Sequence, residues 1–210
     1  MDVISWLKAS YEVGSIQVSI GDALGFATGL MCVWLTAKAS IWNFFWGIIN
    51  CAILGVLFFD QRLFADASLQ IVFVALAVVG WVNWSKWGHS NTAPFKATSV
   101  REQVALVAVA SALSLALYWV LVQLRGSSPP LDAMITALSL CAQWQLNRRQ
   151  VSSWIWWIAV DLISIPLYWS RDMHLIAGLY VIFLLMCVYG LHNWRRTQRL
   201  THYPPQTIPA

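Results

Sequence analysis

The chain has 210 residues, of which 59% are hydrophobic and only 10% charged, and its mean hydropathy is +0.63. Soluble domains carry about 25% charged residues, so this composition excludes a water-soluble globule and points to an integral membrane protein with no soluble domain beyond its spans. The net charge of +4 does not indicate nucleic acid, because the basic residues punctuate apolar runs instead of forming a patch.

In chain order, residues 1–20 hold Trp6, Lys8 and Glu12 in a mildly apolar stretch that is too polar to span and lacks the features of a signal peptide. The pattern predicts an interfacial helix there. Seven apolar segments follow, at about 22–37, 41–59, 67–85, 104–124, 132–146, 151–169 and 174–193, so the expected fold is all-α with seven transmembrane helices. Several are shorter than the ~20 residues a perpendicular helix needs, so Lys38, Arg148 and Arg149 must snorkel or the bilayer must thin. The fifth segment, which includes Gln143, Trp144 and Gln145, is the most polar.

Cys32, Cys51, Cys141 and Cys187 all lie inside apolar runs, and His89, His174, His192 and His202 stand singly near loops or span ends. Neither set has metal-ligand or disulfide spacing. With seven spans, Lys8, Arg62, Arg125 and Arg171 fall on one side. Lys38, Lys86, Lys96, Arg101, Arg148, Arg149, Arg195, Arg196 and Arg199 fall on the other. The imbalance predicts a cytoplasmic C-terminus and an N-terminus outside.

The chain also repeats. Residues 22–84 laid over 132–194 pair Asp22 with Asp132, Trp34 with Trp144, Gly80 with Gly190, Asn83 with Asn193 and Trp84 with Trp194. With a one-residue adjustment, Trp46 pairs with Trp157 and Asn50 with Asp161. The expected organisation is an N-terminal segment 1–20, a three-helix repeat 21–86, a linker 87–130 with the fourth span, a second three-helix repeat 131–194 and a cytoplasmic tail 195–210. A single linking helix makes the two repeats parallel, an arrangement found in transporters that hold substrate near the midplane between repeats.

Asp161 sits mid-span in "WIWWIAVDLISIP", and a carboxylate there costs about 2.5–3.5 kcal/mol to insert. Asn50 and Asp161 each follow a tryptophan, Trp46 or Trp157, by four residues, on one helical face. Trp154 and Tyr168, seven residues before and after Asp161, continue that stripe, and Gln70 in the third span has Tyr180 as its repeat partner. A structural reading stands beside the functional one: Asp161 and Gln70 as hydrogen-bonding glue between helices, Trp46 and Trp157 as packing, and Trp84, Trp87 and Trp194 as an interfacial belt. Gly80 and Gly190 read as close-packing positions, and Pro166 as a kink. An aromatic cavity with one carboxylate suits a small, flat, cationic or hydrogen-bonding solute.

No HExxH, nucleophile triad or Gly-rich phosphate loop is present, and nothing calls for a cofactor or an enzyme. ATP-binding motifs and a chain of intramembrane acids are likewise missing, which argues against driven transport.

The combination "NFFWGIINCAILGVLFFDQRLFADASLQIVF", "GWVNW" and "SSWIWWIAVDLISIPLYW" resembles the PnuC family of bacterial vitamin transporters over residues 20–195. The resemblance implies a fold similar to the SWEET sugar transporters, a homotrimer in the inner membrane, and facilitated diffusion of nicotinamide riboside made one-way by cytoplasmic phosphorylation. It places the binding region on Trp46, Asn50, Gln70, Trp154, Trp157 and Asp161, with Tyr168 and Tyr180 added by the stripe and the repeat. Some members carry asparagine in the place of Asp161. The family includes members for thiamine and other vitamins, so a ring-bearing vitamin other than nicotinamide riboside is the alternative substrate.

Overall fold

The computed structural model describes residues 3–13, 16–86, 95–124 and 129–202. Trp87, His89 and Arg125 lie outside the described residues. In chain order the elements are α1 (Val3–Leu7), β1 (Ser10–Val13), β2 (Ile16–Ser19), α2 (Ile20–Ala37), α3 (Trp42–Asp60), α4 (Phe64–Ser85), α5 (Val100–Gln123), α6 (Pro129–Asn147), α7 (Ser153–Ser170) and α8 (His174–His202). They fall into two compact units, Met1–Lys86 and Trp87–Ala210.

The N-terminal segment departs from the expected interfacial helix. Only α1 is helical, and β1 and β2 pair as an antiparallel hairpin with Tyr11 opposite Val18. The cause is local: "SYEV" and "IQVS" alternate with period two and are rich in β-branched and aromatic residues. α1 is held to α3 by a Lys8–Asp60 ion pair at 2.8 Å. α2 then starts on a capping box, in which Ser19 Oγ accepts from Asp22 N–H and Asp22 accepts from Ser19 N–H.

Among the described residues, α2, α3, α4 from Asp66, α5 and α8 to Leu200 are the five helices long and apolar enough to cross a membrane. α6 and α7, with 19 and 18 residues, fall short of that standard. α6 carries Asp132, Gln143, Gln145 and Asn147, and α7 carries Asp161 among four tryptophans with polar indole N–H groups. In the first unit α3 packs on both α2 and α4; in the second, α5 to α8 pack consecutively. The surface is inverted relative to a soluble protein: Val104, Leu115 and Trp119 on α5 are about 60% exposed, as expected of a helix whose solvent is lipid.

Four helix-to-helix turns share one motif. After α2, Ala39 N–H donates to Thr36 C=O and Ser40 N–H to Leu35 C=O; after α6, Arg149 and Gln150 donate to Leu146 and Gln145 in the same way. The turns after α3 and α7 repeat it at Arg62/Leu63 and Asp172/Met173. This is the Schellman closure, which places the residue after the cap in the left-handed region. Here that residue is never glycine: φ is 55° at Ala39, 61° at Arg62, 56° at Arg149 and 58° at Asp172. Each costs about 1–2 kcal/mol relative to glycine.

The turns also fix the register of the repeat. Ala39 and Arg149, like Arg62 and Asp172, are 110 positions apart, and α3 and α7 run as uninterrupted helices between them. The same spacing relates the edge-to-face pair Phe44–Trp84 (5.1 Å, 88°) to Trp154–Trp194 (5.4 Å, 87°). It relates the cation–π pair Lys38 over Trp34 (4.8 Å) to Arg148 over Trp144 (5.8 Å) as well. The one-residue adjustment expected in the middle of the repeat is therefore absent. Trp46 corresponds to Trp156, Asn50 to Val160, and Asp161 to Cys51; the pairings of Trp46 with Trp157 and of Asn50 with Asp161 are corrected accordingly.

Trp84 and Trp194, read from sequence as interfacial, are 1% and 0% exposed. They are core residues because Phe44 and Trp154 supply ring partners inside each unit.

Candidate functional site

In the first unit, Asn50 on α3 is tied to α2. Its Nδ2 donates to Gly25 C=O at 2.7 Å and to Thr28 Oγ1 at 2.9 Å, and Thr28 itself donates to Leu24 C=O at 2.7 Å. The amide therefore acts as a strut between two helices. Gln70 on α4 lies over Gly55, where an added β-carbon would stand 3.5 Å from the Gln70 Cβ. Trp46 is half-buried and meets Phe45 edge to face at 5.7 Å.

In the second unit the candidate residues divide into three groups. Trp154 is part of the α7–α8 core: it is 1% exposed, meets Trp194 edge to face, and fits only because position 190 is glycine. Trp157 is half-buried against a cluster of Ala110, Cys141, Ala142 and Trp156, where α5, α6 and α7 meet. Asp161, Tyr168 and Tyr180 come together along the seam of α7 and α8.

That seam is polar and aromatic. Asp161 is 3% exposed and its Oδ2 has no hydrogen-bond partner among the described residues; a buried carboxylate oxygen left unpaired is costly. Tyr168 and Tyr180 stack with ring centroids 5.2 Å apart at 22°, and Phe183 closes edge-on against Tyr180 at 5.9 Å. The groups surrounding Tyr180 include Tyr168, Ser164 and Asp161. The Cys187 thiol neighbours Asp161. Spacings of three and four from Asp161 to Ser164 to Tyr168, and of seven from Tyr180 to Cys187, place each set on one helical face.

The equivalent seam of the first unit, 110 positions earlier, carries Cys51, Leu54, Phe58, Gln70 and Ala77. The repeats share a backbone plan but not this chemistry. Ser164, fully buried beside Asp161, was missed in the sequence although its spacing from Asp161 was available as a signal. Cys187 was set aside as one more cysteine in an apolar run.

A second polar cluster also escaped sequence reading. Gln103 Oε1 on α5 accepts from Trp156 Nε1 at 3.1 Å and from Gln145 Nε2 at 3.4 Å, and Gln145 in turn accepts from Ser152 Oγ. Of the glutamines that made the fifth segment look polar, Gln145 is thus satisfied against α5 and the α6–α7 turn, while Gln143 Nε2 donates to Asn147 Oδ1 on its own helix at 3.0 Å. Among the described residues no group of three or more His, Cys, Asp or Glu is placed to hold a metal.

The family described as nicotinamide mononucleotide transporter matches residues 19–196. The nicotinamide riboside transporter PnuC of Escherichia coli (strain K12) is 26% identical, over 89% of this chain and 89% of that protein. PnuC of Neisseria mucosa is 28% identical over 80% of this chain and 69% of its own length. The riboflavin/roseoflavin transporter RibM of Streptomyces davaonensis is 26% identical over 91% and 92%. The crystal structure of the vitamin B3 transporter PnuC superposes with a TM-score of 0.70 at 25% identity, covering 84% of this chain and 81% of that one. With the match extending through nearly all of both repeats, the chain belongs to the nicotinamide mononucleotide transporter family, the PnuC group of multi-pass membrane transporters, and not to an enzyme family.

Proposed function

We propose that the protein carries nicotinamide riboside across the bacterial inner membrane by facilitated diffusion. The observation that carries this reading is the buried Asp161 carboxylate, which neighbours the Cys187 thiol but whose Oδ2 has no hydrogen-bond partner among the described residues, beside stacked Tyr168 and Tyr180. A cationic pyridinium ring supplies what that seam lacks: a counter-charge for Oδ2 and a face for the phenol rings. Tyr168, Tyr180 and Asp161 form the core of the substrate contacts. Trp157 is the further proposed contact along α7, whereas Trp154 packs in the α7–α8 core; within the first unit Trp46, Asn50 and Gln70 are its own candidate contacts. The relatives named as nicotinamide riboside transporters support the choice of ligand.

The rest of the proposed assembly rests on the sequence and, for its SWEET-like order and homotrimeric state, on the resemblance to the PnuC family. α6 and α7 join the five more apolar helices to make seven crossings in a three-plus-one-plus-three order, as in SWEET-like transporters. The N-terminus faces out, the C-terminus faces the cytoplasm, and the unit of assembly is a homotrimer. Net uptake is driven, as the resemblance to the PnuC family implies, by cytoplasmic phosphorylation that traps the substrate after entry, placing the protein upstream of NAD biosynthesis.

A second reading has its own support. RibM aligns with more of this chain than the Escherichia coli relative does, and a flat neutral isoalloxazine also stacks on phenol rings. The alternative substrate is therefore a ring-bearing vitamin such as riboflavin or thiamine. Uptake of labelled nicotinamide riboside and riboflavin into proteoliposomes separates these readings. The riboside should equilibrate across the membrane without ATP or an imposed gradient. Equilibration of riboflavin alone would replace the substrate, and accumulation above the outside concentration under a proton gradient would overturn facilitated diffusion.

A further inference from the structure

One end of the second unit is a ring of guanidinium groups. Arg101 opens α5, Arg148 stands in the α6–α7 turn, and Arg195, Arg196 and Arg199 lie on the last turns of α8; all are exposed. Three contacts bring these pieces together. Arg148 Nη1 meets Glu102 Oε1 at 3.0 Å, Phe95 stacks on Trp194 at 4.4 Å and 26°, and Gln198 Nε2 donates to Phe95 C=O at 3.2 Å. Glu102, the acidic group in this ring, is engaged by Arg148 and by Gln150 Nε2 at 2.9 Å. Arg101, Arg195, Arg196 and Arg199 have no ion-pair partner among the described residues.

The length of α8 sets where those charges stand. Its 29 residues span about 43 Å at 1.5 Å each, against a hydrocarbon core of about 30 Å. The surplus turns reach the headgroup layer. They do so as an ordered helix, because Gln198 and the Phe95–Trp194 stack anchor the inner face and leave Arg195, Arg196 and Arg199 on the outer one. An exposed guanidinium at headgroup depth pairs bidentately with a phosphate, and basic groups next to a span attract anionic lipid.

We propose that this end of the second unit is a binding surface for acidic phospholipid headgroups, with Arg195, Arg196 and Arg199 as its principal contacts and Arg101 at its edge. The proposal is independent of which vitamin is carried. The full chain is reconstituted in vesicles of equal parts phosphatidylglycerol and phosphatidylcholine, purified in detergent, and the lipid it retains is counted by mass spectrometry. The wild type should retain phosphatidylglycerol in preference, and the preference should fall about fivefold for each cation removed. Arg195→Gln/Arg196→Gln/Arg199→Gln should therefore lose most of it, while the corresponding triple lysine variant keeps it. A wash at about 1 M salt should strip the preference from the wild type itself, so the test stands even if the glutamine variant fails to fold. Equal retention of both lipids, a preference that survives salt, or a glutamine variant that keeps it would overturn the proposal. So would displacement of the lipid by inorganic phosphate beyond that produced by chloride at the same ionic strength, which would indicate a site for a soluble anion.

Discussion

The indole of Trp154 lies so close over Gly190 that a β-carbon at position 190 would stand 2.5 Å from its Cζ2 and 2.6 Å from its Cη2. Both residues are buried, Trp154 to 1% exposure, so neither can move away without disturbing the α7–α8 seam that holds Asp161. Gly190→Ala should cost at least about 1–3 kcal/mol, the usual penalty of overpacking, seen as a lower unfolding temperature in detergent. Adding Trp154→Phe should recover part of the loss, since the clash is with the outer edge of the indole. A Gly190→Ala variant that unfolds at the wild-type temperature would mean that the seam is looser than described.

Asn50 should behave as a strut before it behaves as a ligand. Its two hydrogen bonds join α3 to Gly25 and Thr28 on α2, and each is worth about 0.5–1.5 kcal/mol net. Asn50→Ala should lower stability by about 1–3 kcal/mol in the absence of any substrate. Asn50→Asp should be worse, because a carboxylate facing the Gly25 carbonyl repels it. Thermal unfolding of the unliganded variants checks this; a change confined to substrate affinity would assign Asn50 to binding alone.

Ala39 offers the opposite sign. Its φ of 55° is one that glycine adopts without strain. Part of that gain is offset by the greater freedom of glycine in the unfolded chain, so Ala39→Gly should raise stability by about 1 kcal/mol or less. A loss instead would show that the alanine methyl packs favourably in the turn.

Much of this architecture was legible because lipid imposes a coarse code: long apolar runs bounded by charge gave the long helices to within a few residues, except that α8 runs on through the expected tail to His202. The turns were harder, since Ala39, Arg62, Arg149 and Asp172 occupy positions where glycine is the usual signal. The register was misplaced for a related reason. Matching Trp46 to Trp157 rewarded a shared rare residue, whereas the true partner, Trp156, stood one position away in "WIWW". Tyr180 was reached only as the repeat partner of Gln70, whereas periodicity put Trp154 and Tyr168 on the face of Asp161. Periodicity did not separate Trp154, a core residue, from the other two, because a seven-residue spacing fixes the face of a helix but not what covers it at each depth. Burial of Trp84 and Trp194 was equally hidden, as it depends on Phe44 and Trp154, about 40 residues away in the chain.

The central claim is that the Asp161 carboxylate is a counter-charge for a cationic ring, and one titration tests it most directly. Asp161→Asn keeps the size and hydrogen-bonding capacity of the side chain and removes only its charge. Calorimetric titration of wild type and variant is made with nicotinamide riboside and with its neutral reduced analogue. Affinity for the charged riboside should fall by about 1–3 kcal/mol, on the scale of a charge-assisted hydrogen bond, while affinity for the neutral analogue changes much less and the variant elutes as the wild-type oligomer. Equal losses for both ligands, or no loss for either, would contradict the claim and make Asp161 a structural residue of the α7–α8 seam.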